Sequence, residues 1–252
     1  MDSVTLAHEL ADPIGSLGMQ YYFDKGTSAY GKTLGLDVVS FYFLGRGGVL
    51  GDRTPQEVDD TFYFFKTGMV AGMYQHASSL HDREAGVRDH LVAARDFANR
   101  TFGGVDDTVL TAFHDAARVV INAAPRGHWP IFDGYRDLIT EGTLVENAYL
   151  DTVLLRELRG GVHTDAVKAA GLTPLLSCYL DRGGAYFQLH GFGEDDVPTV
   201  TDEDRARREA VEADTTVRSA ALFALLSDEQ RDTLATGSAA LQAALASPVA
   251  VG

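Results

Sequence analysis

A single cysteine, Cys178, is all the thiol this 252-residue chain carries, so no disulfide can form within it. That points to a reducing compartment. The sequence nowhere holds the roughly 20 consecutive apolar residues that cross a bilayer. The opening Met1-Asp2-Ser3-Val4 lacks the basic start and the apolar run of a signal peptide. The expected location is therefore cytoplasmic, with no membrane partner. Positive charge is scarce: 21 Lys and Arg face 36 Asp and Glu, a net charge of −15. Such a surface repels phosphate backbones, which makes nucleic acid an unlikely partner on this reading. Signature motifs are missing as well. There is no Gly-x-Ser-x-Gly, no P-loop, no Gly-x-Gly-x-x-Gly and no His-Glu-x-x-His. His76 and His81 are five residues apart and do not share a helical face, and one cysteine cannot build a thiolate zinc site. No metal site is expected. The cofactor is undetermined, and haem held by a single histidine stays open.

What the chain does contain suits a globular protein. It is 45% hydrophobic and 23% charged, with 13 Phe and 10 Tyr. A chain of this length buries roughly 70–75% of its unfolded surface, enough for a large core. Helix signals run nearly throughout, and the expected fold class is all-α. A multi-helix domain is expected over 1–190, an acidic loop over 191–200, and a smaller helical segment over 201–252. Thr54-Pro55-Gln56-Glu57 is a capping box with proline in the first turn. The apolar spacing predicts long helices over 82–99 and 106–123, and further helices over 143–158, 162–170 and 173–189. The run 37–44 fits either a buried strand or a buried helix, and 127–137 reads as irregular. Gly45-Arg46-Gly47-Gly48 reads as a chain breaker. The Ala-rich stretch 215–246 offers an apolar face that would serve a homodimer.

Two blocks carry a family resemblance. One is Gly35-Leu36 with Phe41-Tyr42-Phe43-Leu44-Gly45-Arg46-Gly47-Gly48-Val49-Leu50-Gly51. The other is Leu154-Leu155-Arg156-Glu157-Leu158-Arg159-Gly160-Gly161-Val162-His163. Together they resemble the actinobacterial SalK/EvbL-type family of helix-turn-helix proteins. In that pattern Tyr22-Phe23 corresponds to an aromatic corner, Arg46 to a turn arginine, Arg136 to an arginine that usually follows asparagine, and His163 to a late histidine. Tyr135 stands where the family usually has asparagine. The resemblance implies a winged C-terminal part, but no Asp-Gly or Asn-Gly hairpin signal occurs between Thr201 and Thr215. A degenerate wing is the expectation.

The candidate ligand-binding residues are Tyr22, Arg46, Phe64, His128, Trp129, Tyr135, Arg136 and His163. His163 is expected in the first turn of a helix, where the dipole keeps an imidazole neutral, and is the candidate acid or base. The plainer alternative has it capping that helix. Arg46 between glycines offers a fork for a carboxylate or phosphate, or else pairs with a core acid. Arg126 and Arg136 flank His128, Trp129 and Tyr135, an Arg/aromatic mixture suited to a polar ligand or to a helix interface. Phe62-Tyr63-Phe64-Phe65 is core or pocket wall. Tyr22, Arg46, Arg136 and His163 are expected to meet in one cleft. Three functions follow: a small-molecule-binding protein of a degenerate helix-turn-helix family, a biosynthetic enzyme acting on a polar or anionic small molecule through His163, and a DNA-binding regulator.

Overall fold

Short acceptor side chains decide where most of the helices begin. The computed structural model describes residues 1–139, 141–184 and 186–247, with backbone alone at 182 and 183. Asp2 accepts hydrogen bonds from the N–H groups of Val4 and Thr5 and opens α1, Ser3–Met19. A 3₁₀ turn, Gln20–Phe23, follows. Asp24 caps α2, Lys25–Thr33, and Asp37 caps α3, Val38–Gly48. Thr54 and Glu57 form the expected reciprocal cap on α4, Pro55–Thr61. After α5, Met69–Leu80, Asp82 and Asp106 open α6, Arg83–Phe102, and α7, Asp107–Ala123. Next come α8, Pro130–Leu138, then α9, Leu144–Ala169, and α10, Pro174–Leu180. The last two are α11, Asp202–Phe223, and α12, Asp228–Ala246. Each side-chain cap contributes about 1 kcal/mol. The fold is all-α, and no strand occurs among the described residues.

α9 is the spine. Every residue from Ala148 to Leu155 is buried, as expected of a helix surrounded by others. α1, α6, α7, α8 and α11 all pack against it. Two helices were expected here, with a break at Gly160-Gly161. The helix runs through because Gly161 is a packing position. A Cβ there would lie 2.4 Å from Cδ1 of Trp129. Gly160 is different, since a Cβ would meet nothing within 4 Å. Gly160→Ala is therefore expected to stabilise the protein by roughly 0.5–1 kcal/mol, by removing backbone freedom from the unfolded chain. Urea denaturation checks this.

Other elements also differ from the sequence reading. Residues 37–44 are helix rather than strand, and Gly45-Arg46-Gly47-Gly48 is the last turn of α3 rather than a breaker. The glycines admit neighbouring helices: a Cβ at Gly47 would meet the Tyr74 ring, and one at Gly48 would lie 2.5 Å from Val87. The stretch 127–137, read as irregular, contains α8, whose start Pro130 suits. The helix expected over 173–189 stops at Leu180, and 185 lies outside the described residues. So do 248–252 of the C-terminal segment. Part of the apolar side of 215–246 turns inward, while Val217 and Leu225 stay exposed. Leu226, Leu234 and Leu241 join the main core, and Gly237 of α12 receives Phe113 of α7. No helix of the described residues is long and apolar enough to cross a membrane.

Candidate functional site

Glu157 projects from the spine into a cluster of cations and phenols. It is nearly fully buried, and a buried carboxylate needs partners. Arg46 of α3 provides two: Nε donates to Oε1 at 3.1 Å and Nη2 to Oε2 at 2.8 Å. Arg156 Nη1 donates to Oε1 at 2.5 Å and Tyr22 OH to the same oxygen at 3.1 Å. Arg46 Nη1 also donates to Tyr42 OH at 3.1 Å, and its guanidinium lies 4.6 Å from the Phe62 ring centre. Burial alone would raise the carboxyl's pKa, but the two guanidiniums outweigh it and bring it down to about 2. Glu157 is therefore ionised at neutral pH. Arg46 and Arg156 bring two positive charges against its one negative, leaving one positive charge in excess.

Behind this cluster the phenols continue inward. Tyr21 OH lies 3.3 Å from Tyr135 OH and 3.4 Å from His90 Nδ1. The Tyr22 ring is parallel to the His90 ring at 5.7 Å. Burial raises the pKa of Tyr21, Tyr22 and Tyr135, so all three stay neutral. Burial, with Arg46 adding to it, pushes His90 down to about 3. Its Nε2 has no partner among the described residues. Gly45 makes room for that imidazole. A Cβ there would lie 2.2 Å from His90 Cγ.

His163 sits elsewhere on the spine, nineteen positions after the helix start at Leu144 rather than in a first turn. The helix dipole does not set its state. Burial does, bringing its pKa down to about 4, against an opposing pull from Glu212. Nδ1 is 3.1 Å from Thr215 Oγ1 and 3.8 Å from Glu212 Oε1, both on α11. Phe64 stacks on the imidazole, ring centres 5.7 Å apart. Arg159 and Arg208 also hold Glu212.

These neutral histidines make acid costly. Where the folded pKa lies below the unfolded 6.5, the unfolded state binds the proton first. Stability contributed by keeping His163 and His90 neutral is present above pH 6.5 and lost as pH falls, toward about 4 for His163 and about 3 for His90. The melting temperature is expected to drop between pH 6.5 and 4.5, and His163→Gln to flatten that slope. A melting series over this range measures both.

The remaining candidates do not converge on the same point. His128 Nε2 and Trp129 Nε1 both reach Asp165 Oδ2, at 3.1 and 2.9 Å, and dock the start of α8 on α9. Arg136 donates from Nη1 to the carbonyls of Ile121 and Ala124 and pairs with Asp133. It closes the end of α7, a structural use of the positive charge. So Tyr22, Arg46 and Tyr135 share one cluster, Phe64 and His163 a second, His128 and Trp129 a third. Among the described residues no hydrogen bond, ion pair or ring contact joins Arg136 or His163 directly to Tyr22 or Arg46, the four residues expected to meet in one cleft. An apolar void of about 20 Å³ between α1, α7, α9 and α11 has room for one water. Sequence reasoning missed Glu157, Arg156, Tyr42, Tyr21 and His90. The available signal was a glutamate between Leu154-Leu155 and Leu158, an acid on an apolar flank. It also missed Asp151, a wholly buried carboxylate that holds His114 Nδ1 at 2.6 Å and Arg118 Nε at 2.8 Å across α7 and α9.

No curated protein matches this sequence, and no solved structure does. The model of a helix-turn-helix family matches residues 7–192. The stretch contains Tyr22, Arg46, Tyr135, Glu157 and His163, and leaves out α11 and α12. Matched over more than half its length, the chain belongs to this helix-turn-helix family.

Proposed function

We propose that this protein binds a small anionic molecule at the Arg46–Arg156–Glu157 cluster, and that reading of DNA is weakened or lost. The observation that carries this is the excess positive charge: two guanidiniums share one carboxylate in a chain of net charge −15. Arg156 is the accessible member, with a quarter of its side chain exposed and, among the described residues, a hydrogen bond from Nη1 alone. An anion there would be held by charge-assisted bonds in a partly desolvated place, where they are strong.

Membership of a helix-turn-helix family favours DNA binding as a second reading. Recognition helices present base-reading side chains from their N-terminal turns. After each four-residue turn the second helix suits this poorly. α3 faces the core, and its one cation, Arg46, is held by Glu157. α7 starts at Asp107 behind Asp106, and α12 starts with Asp228-Glu229. Carboxylates there repel phosphates. The enzyme reading has one supporting feature, a part-buried His163 with a carboxylate nearby. A pKa near 4 makes it a weak base at neutral pH, further from the match that proton transfer favours.

A thermal-shift panel at constant ionic strength tests the proposal, with small carboxylates, phosphates and a random DNA duplex as probes. The expected result is at least one small anion that raises the melting temperature. A ligand at a hundred times its Kd adds about 2.7 kcal/mol, roughly 5–10 °C for a chain this size. Arg156→Gln removes the excess charge, leaves the Arg46–Glu157 bridge in place, and is expected to abolish that shift. DNA is expected to give none. A shift with DNA and with no small anion would reject the proposal.

A further inference from the structure

Phe23 is 58% exposed, the one aromatic among the strongly exposed large hydrophobic residues described. Its position is not arbitrary. It directly follows Tyr22, whose hydroxyl holds Glu157, and meets that ring edge-on at 6.3 Å. On its other side it stacks on Tyr42, ring centres 5.9 Å apart and planes within 26°. Tyr42 in turn accepts from Arg46. Arg156 lies 5.4 Å from the Tyr22 ring. An uncovered ring, fixed by two neighbours, thus stands on the same phenols that support the cations. The 3₁₀ turn Gln20–Phe23 between α1 and α2 fixes this spacing.

From this we infer the ligand's class: an aromatic carboxylate, its acid group on Arg156 and its ring against Phe23. The inference rests on the anion-binding reading above and adds the aromatic half. Aromatic faces prefer offset-stacked or edge-to-face partners over aliphatic ones, so the shelf discriminates by ring chemistry as well as area. The arginine supplies a planar fork that matches a carboxylate.

Titration calorimetry of the full chain with acetate, cyclohexanecarboxylate, benzoate and 1-naphthoate separates the two halves. The aromatic acids are expected to bind about tenfold tighter than cyclohexanecarboxylate, and acetate weakest. Phe23→Leu keeps an apolar surface without a ring, and is expected to erase the aromatic preference while leaving acetate unchanged. Arg156→Gln is expected to weaken every acid. Phe23 is exposed, so neither outcome depends on a disturbed core. Equal affinity for cyclohexanecarboxylate and benzoate would overturn the aromatic assignment and leave the anion site standing. Failure of all four acids to bind would overturn both. Self-association that Phe23→Leu abolishes, with no acid bound, would assign the ring to a second copy of the chain and overturn the inference.

Discussion

Glu157→Gln is expected to destabilise the protein by about 3–5 kcal/mol, the usual cost of removing one partner from a buried ion pair. The amide keeps the shape and can still accept hydrogen bonds. It cannot offset Arg46 and Arg156, which would then stand as two charges in a largely desolvated place. The sign agrees with the carboxyl's pKa: burial would raise it, but Arg46 and Arg156 bring it down from 4.5 to about 2. Because its folded pKa is depressed, this stability is present above the unfolded pKa of 4.5 and lost as pH falls toward 2. Acid denaturation should therefore show two regimes, the histidines from pH 6.5 downward and Glu157 below 4.5. Glu157→Gln should remove the second and leave the first. Urea denaturation at pH 7, pH 4.5 and pH 2.5 measures both effects. A loss under 1 kcal/mol at pH 7 would mean that the bridge contributes only what exposed pairs do.

Gly45→Ala carries the second large effect. Its Cβ would lie 2.2 Å from Cγ, 2.3 Å from Nδ1 and 2.5 Å from Cβ of His90. No real contact is that short, so α3 and α6 must separate or the imidazole must leave. The imidazole is enclosed by Tyr21, Tyr22 and Phe41 and has nowhere to go. Overpacking typically costs 1–3 kcal/mol, and about 3 is expected here because the contact falls at the ring's root. The double variant Gly45→Ala with His90→Ala separates clash from general helix damage. It should be more stable than the sum of the single changes implies, by 1 kcal/mol or more. Strict additivity would show that the glycine serves something other than room for His90.

The sequence displayed the fold through its local signals. Thr54-Pro55-Gln56-Glu57 was legible because a capping box is built from four consecutive residues, and it forms as read. The three- and four-residue spacing of Leu110, Phe113, Ala117 and Val120 gave α7 in the same way. Glycine was misread where its purpose is tertiary. Gly161 and Gly45 look like breaks along the chain, but each makes room for a ring from another helix, Trp129 or His90. The same limit applied to the site. Arg46 could be singled out, and pairing with a core acid was one of its two readings. The identity of that acid was not legible, because Glu157 lies 111 positions away and meets it only when α3 docks on α9. Arg136 carried no local sign that its donors would go to the carbonyls of α7.

Native mass spectrometry of the protein purified from its own host decides whether the Arg156 site holds an anion. The expected result is a small anion retained on the wild-type chain and absent from Arg156→Gln purified in parallel, with that variant folded and its Arg46–Glu157 bridge intact. A clean ligand-free mass for the wild type, together with co-purified DNA, would contradict it and return the family's DNA-binding reading to first place.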